Sequence, residues 1–559
     1  MKRTRRTAFV LSLMAVAFLS TGRAADDPAE KATSTASNST ELAKLKAQIE
    51  EQQKQIEQLS AMLAAQKRMV DQLTPGAPAA PAVTVHNLPS LGEVASTTPM
   101  VPLAPAAPAP AVFEPQAAPA ATSSPLQFKI GDATVQPIGF MDLTGSFKDK
   151  NAGGSLGTNF GSVPYNNATT AKLSEFRWSP QNSRIGFRVD ANVKDAHIIG
   201  YNEFDFLGTS GAFNMSVTNG AFVPRLRLFW VDVRRGQFEI LGGQSWSMMT
   251  PNRKGISALP GDLFYSQAID VNYVIGLAWD RQPGIRFLYH PSDKVTAGLS
   301  LENPDQYIGG SGGGPSVTLP SALTSLANAQ LDNPSGTAGA VQNIPNLHPD
   351  IIGKLAFDPT SHVHFEVTGI ERTFKIWNPN TNTYFTKVGG GGEVNANLEL
   401  AKNFRFITNN YWSDGGGRYL FGNAPDLVLR SDGSISPIHS GGTIQGFEAT
   451  VKNTLLYTYW SGIYVAKNVA LDANGTSLVG YGYRGSANSQ NRYVQEITLG
   501  FNETIWKDTK WGALNLMGQY QYVFREPWYV AVNAPKAAHD NTIFVNLRYT
   551  LPGAAPPAK

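Results

Sequence analysis

From position 134 to 551 the chain reads as stretches of about ten residues in which apolar and polar side chains alternate, the period of a β-strand with two unlike faces. Ile185, Phe187 and Val189 alternate with Arg184, Gly186, Arg188 and Asp190. Leu514, Leu516, Tyr520, Tyr522 and Phe524 alternate with Asn515, Gln519, Gln521 and Arg525, and Ile543, Val545, Leu547 and Tyr549 with Thr542, Asn546, Arg548 and Thr550. The pattern predicts strands at 134–147, 182–193, 196–208, 223–234, 237–247, 282–290, 294–302 and 349–358. Eight more are expected at 361–375, 385–398, 403–412, 442–451, 454–467, 492–506, 511–525 and 540–551.

The connections sort into two kinds. Tight turns such as Lys194-Asp195, Arg235-Gly236, Ser292-Asp293, Lys452-Asn453 and the four residues from Lys507 to Lys510 alternate with much longer loops. Transmembrane β-barrels place tight turns at the periplasmic rim and long loops outside, and an even strand count returns the C-terminus to the side of entry. Trp506 and Trp511 flank a tight turn, whereas Trp246, Trp377, Trp412 and Trp528 lie near long loops, as two interfacial girdles require. A soluble β-sandwich also alternates, but it has no reason to gather aromatics at strand ends. The expected fold is an all-β transmembrane barrel of about sixteen antiparallel strands at 128–552, with a short tail at 553–559 and an N-terminal α-helical coiled coil.

The first 127 residues have a different grammar. Lys2, Arg3, Arg5 and Arg6 precede an apolar run from Ala8 to Leu19 and then small residues, which reads as a secretory signal peptide at 1–24. At 40–73 the apolar residues repeat every seven: Leu42, Ile49, Ile56, Leu63 and Val70 hold one seam position, and Leu45, Leu59 and Leu73 the other. Gln52 and Gln66 interrupt the second seam, a device that costs stability and fixes strand number. This is a periplasmic trimerisation helix on that reading. Residues 74–127 are Pro/Ala-rich and form a semi-rigid linker that cannot bury a core.

Composition narrows the function. There is no cysteine among the 559 residues, which removes disulfides, thiolate metal sites, cysteine nucleophiles and a lipidated cysteine together. A net charge of +3 gives no basic stripe for nucleic acid. Charged residues make up only 16% of the chain, below the share usual in soluble proteins. No Ser/His/Asp arrangement stands out at a usable spacing, so no enzyme is expected. Gly480 to Gly485 fits GxGxxG without the strand-to-helix context, Asp472-Ala473-Asn474-Gly475 lacks the rest of a calcium loop, and His362 with His364 has no third ligand. Neither a metal nor a cofactor is expected.

Several strings, in order through the barrel, resemble the DcaP-like outer-membrane porins. They are Ser183-Arg184-Ile185-Gly186-Phe187-Arg188, Glu203-Phe204-Asp205-Phe206, Gly243-Gln244-Ser245-Trp246-Ser247, Leu301-Glu302-Asn303-Pro304 and His348-Pro349-Asp350, behind a heptad helix and linker. The resemblance implies a homotrimer in the bacterial outer membrane that passes small anionic solutes, dicarboxylates among them, with the coiled coil in the periplasm. One departure is the Pro/Ala tail after Tyr549, where such barrels usually end on an aromatic.

Lumen-facing arginines are the candidate selectivity residues, because fixed charge acts strongly in a confined aqueous channel and a guanidinium fork matches a carboxylate. The alternation puts Arg184, Arg188, Arg225, Arg227, Arg286, Arg372, Arg525 and Arg548 on that face. The segment from Met248 to Arg281 is the candidate constriction loop, carrying Arg253, Lys254, Asp262 and Asp270. Each arginine has an alternative, structural role in pairing with carboxylates such as Asp190, Glu203 or Asp205. A second function is also open: the coiled coil and linker tie the membrane to another periplasmic envelope component, and the barrel serves as anchor.

Overall fold

The computed structural model describes residues 125–153, 156–208, 222–259, 267–310, 315–324, 329–332 and 345–552. The expected signal peptide and coiled coil, nearly all of the linker, and the 553–559 tail lie outside the described residues.

The wall has sixteen staves, and all coincide with the alternating stretches of the sequence. They are β1 Ala133–Lys148, β2 in two pieces (Glu175–Ser179 and Arg184–Val193), β3 Ala196–Gly208, β4 Val223–Arg235, β5 Phe238–Trp246 and β6 Arg281–Ser292. Next come β7 Val295–Glu302, β8 Asp350–Thr360, β9 Val363–Asn378, β10 Thr383–Ala401 and β11 Phe404–Asp414. The last five are β12 His439–Val451, β13 Thr454–Val465, β14 Asn491–Asp508, β15 Gly512–Pro527 and β16 Ala538–Thr550. Every neighbouring pair is antiparallel. The register Phe140↔Thr550 through Lys148↔Thr542 joins β16 to β1 and closes the cylinder, which leaves no free sheet edge.

The two faces are chemically opposite. On β9, Val367 is 51% exposed while the adjacent Glu366 is fully buried. Met141, Phe187, Phe229, Leu299, Leu355, Leu499 and Ile543 continue the outward apolar surface. A water-soluble protein has no reason to expose apolar side chains on every strand, whereas a hydrocarbon solvent demands it.

At one rim the strands turn in two or three residues. Gly236 takes φ +58°, and Lys194 and Lys452 take similar left-handed values, the geometry that lets a two-residue turn follow the strand twist. At the other rim the connections are long, with one exception. Residues 379–382 suffice between β9 and β10, which run to 16 and 19 residues and carry Trp377 against Tyr384 beyond the rest of the wall.

The inward face is less uniformly polar than the alternation suggests. Tyr201, Trp230, Leu241, Ile407, Ile444, Tyr457 and Tyr459 point inward and pack against loop residues Leu259, Tyr273, Val274, Leu277 and Trp279. The long loops add a second apolar cluster that includes Phe160, Ile308, Leu331, Tyr419, Leu427 and Tyr481.

Candidate functional site

The lumen is built around the segment between β5 and β6. Its two ends are clasped: the Ser247 amide donates to the Asp280 carbonyl at 2.8 Å. Between them the described parts of the loop, 248–259 and 267–279, run inside the barrel and are pinned to the wall chiefly through their own backbone amides. Met248 donates to Glu302 on β7 at 2.8 Å, Asn252 to Glu366 on β9 at 3.1 Å, and Gly255 to Asp358 on β8 at 3.0 Å. Further along, Ile269 donates to Gln519 on β15, Ile275 to Glu496 on β14 and Ala278 to Asn409 on β11. Inward carboxylates and amides thus do what strand partners do elsewhere, since a buried amide left unpaired is costly. Apolar side chains supply the rest of the cohesion: Met248, Met249, Ile256, Ile275 and Leu277 are buried on the loop.

Of the four residues singled out on this loop, Arg253 forms a bidentate pair with Glu448 on β12 at 3.0 and 2.9 Å. Lys254 is exposed. Asp270 is buried, accepting the amides of Thr158 at 3.1 Å and Asn272 at 2.7 Å, and burial lifts its carboxyl above the usual range. Asp262 lies outside the described residues.

The eight candidate arginines are all partnered within the wall or its loops. Arg188 forks onto Asp190 at 2.6 Å, and Arg548 reaches Asp142 at 2.7 Å. Arg225 and Arg227 share Asp205, each at 2.7 Å, and Arg227 also meets Glu203, which lies 3.6 Å from Arg184. Arg372 is fully buried between Asp350 at 3.0 Å and Asp426 at 2.9 Å. Arg286 donates to the Trp246 carbonyl at 2.6 Å, and Arg525 to the carbonyls of Val163 and Asn488 at 2.6 and 2.9 Å. Arg184, Arg225 and Arg227 gather on one side of the lumen. Arg188, Arg372 and Arg525 do not join them, each being held in its own set of partners.

The centre of that gathering is Tyr273, a loop residue at φ +62° whose hydroxyl accepts from Arg227 at 2.9 Å. Burial alone would push its phenol up, but Arg227, Arg184 and Arg281 together bring it down to about 8. Around it stand Trp246, with ring centroids 5.8 Å apart, and Trp279, at 5.0 Å. Sequence reasoning missed Arg281 because it stands at the junction of loop and strand, where alternation assigns no face. Its only signal is the flanking Trp279 and the cross-strand Trp246.

Among the described residues no group of three or more His, Asp or Glu side chains could hold a metal ion. His364 is instead placed between two carboxylates, 2.9 Å from Asp358 and 3.3 Å from Glu366, the same two that receive the loop amides. His362 lies apart, 2.8 Å from Glu399. Asp472 closes a turn, accepting the amides of Ala473 and Ser321.

No protein-family model matches the chain, and no curated protein does. Solved structures do. The outer-membrane channel DcaP of Acinetobacter baumannii superposes with a TM-score of 0.55 at 16% identity, over 76% of this chain and 99% of that one. The anion-selective porin of Comamonas acidovorans gives 0.44 at 13% identity over 75% of this chain and all of its own, and OmpF of Salmonella typhi gives 0.42 at 9% over 76% and all of its own. A closed wall of sixteen antiparallel strands, apolar outside and charged within, therefore has the fold of the DcaP outer-membrane channel.

Proposed function

We propose that the chain is a homotrimeric outer-membrane porin that lets small anionic solutes, dicarboxylates among them, diffuse through the lumen of each barrel. The observation that carries this reading is a closed wall with a mainly apolar outer face and an inner face that carries charged groups on most staves, into which one loop is folded. A barrel so built faces hydrocarbon outside and surrounds polar groups inside, with the loop parts 247–259 and 267–280 narrowing the passage. The inward arginines and their carboxylate partners give the passage fixed charge of both signs, and the cations gather on the side formed by β2 to β6. Neither a cofactor nor chemistry is needed, because the driving force is the solute gradient.

Reconstitution in planar lipid membranes tests it. Conductance rising in steps of three, with a reversal potential biased toward anions in a salt gradient, is the expected result. Closed or cation-selective channels would remove the assignment.

A further inference from the structure

Arg281 differs from the candidate arginines around it. No carboxylate among the described residues lies within ion-pair distance of its guanidinium, and both its chain neighbour Asp280 and Asp205, whose charge reaches it, are engaged elsewhere. Asp280 holds Arg418 at 2.7 Å, and Asp205 holds both Arg225 and Arg227. The guanidinium is kept in place by rings, 5.2 Å from the centroid of Trp246 and 5.5 Å from that of Trp279. Trp246 is its cross-strand neighbour, and Trp279 stacks in turn on Phe421 at 5.5 Å. Ring faces orient a cation and tolerate it, but they do not cancel its charge.

The surroundings sharpen the imbalance. Glu203 and Asp205 already serve three guanidiniums, those of Arg184, Arg225 and Arg227, so Arg281 is a fourth cation beside two carboxylates. The residue is half-buried, unlike the enclosed Arg227 beside it. A fixed, oriented guanidinium with no carboxylate partner among the described residues, set in a low-dielectric channel wall, is the arrangement that captures an oxyanion and releases it again.

Resting on the porin reading, we infer that Arg281, backed by Trp246 and Trp279, is the residue that binds a carboxylate group of the permeating solute and sets the anion preference. The candidate arginines described above mainly hold the wall together. Arg281 presents its fork to one carboxylate at a time, and the solute leaves when water or the next anion competes for the same donors.

The test compares wild type, Arg281→Lys and Arg281→Gln, each as the full chain and each checked for the heat-modifiable migration of a folded barrel. In a salt gradient the glutamine variant is expected to lose most of the chloride-over-potassium preference, and the lysine variant to keep it. The succinate concentration that half-blocks the current should rise about tenfold in Arg281→Gln. An anion-selective wild type with an unchanged Arg281→Gln overturns this assignment and leaves the porin reading standing. A wild type without conductance, and without any succinate-dependent change in tryptophan emission in detergent, overturns both.

Discussion

Arg253 on the inward loop grips Glu448 on β12 through two parallel hydrogen bonds of 3.0 and 2.9 Å, far around the wall from the point where the loop begins. Glu448 is buried and also receives the Tyr459 hydroxyl at 2.9 Å, so the contact is a strut between loop and wall. Replacing Glu448 by Gln should remove about 1.5–3 kcal/mol of charge-assisted bonding and let the first half of the loop fluctuate. The expected sign is excess noise in the open-channel current, with conductance equal to or above wild type. A quiet channel of unaltered conductance would show that the loop is held without this pair.

Arg372 tests the structural role of the wall arginines. Its guanidinium touches Asp350, Asp426 and the Asp305 carbonyl in a site closed to solvent. Arg372→Gln strands two buried carboxylates, a change that typically costs about 3–5 kcal/mol. The variant should unfold at lower urea concentration while its ion preference in bilayers stays near wild type. A normal urea midpoint combined with a collapsed anion preference would reverse the division of labour proposed for Arg281 and the wall.

The wall was legible because one solvent acts on one face of every strand. An apolar surround fixes Phe187, Val367 and Ile543 outward, so a period of two survives along the staves even where Glu371 and Asn410 interrupt the apolar face. The lumen obeys no such single rule. Tyr201, Ile444 and Tyr457 face inward because a loop covers them, and nothing in their own strands announces that cover. The short pairings Leu427–Leu429 with Ile435–Pro437 and Asn468–Leu471 with Leu478–Tyr481 escaped notice for the same reason, being ordered by packing among loops. Arg281 was missed because alternation gives no direction at a strand's first residue, where the two indoles decide it.

The outer loops carry a pH-dependent weakness. Burial, then the charge and hydrogen bond of Asp305, raises the Asp332 carboxyl to about 7; burial, opposed by Arg372, raises Asp426 to about 6. Both lie above the ordinary value of 3.8, so between pH 4 and 7 the fold holds protons that the unfolded chain has released. Stability from these groups is therefore full at low pH and lost as pH rises through 6 and 7. Asp332→Asn should stabilise the protein at pH 8 by about 1–2 kcal/mol, allowing for partial exposure, and flatten the decline. Thermal midpoints at pH 5 and 8 measure it; an equal shift at both would mean the carboxyl is not titrating in the fold.

The membrane reading makes a prediction that no soluble fold would share. Val367 lies in the run of β9 that pairs on both sides without a break, opposite Leu355 on β8 and Val394 on β10, all three exposed on the outer face. In water, a Val to Arg change at an exposed strand position is nearly neutral, because the charge stays solvated. In hydrocarbon the same change must pull water or headgroups inward and costs about 2–4 kcal/mol near the bilayer midplane, falling toward zero at the interfaces. Val367→Arg should therefore lower the urea midpoint for folding into lipid vesicles, whereas Leu400→Arg, close to a tight turn, should barely move it. Two neutral values would mean that water bathes the outer face. The alternation from which the sixteen staves are read would then have another cause.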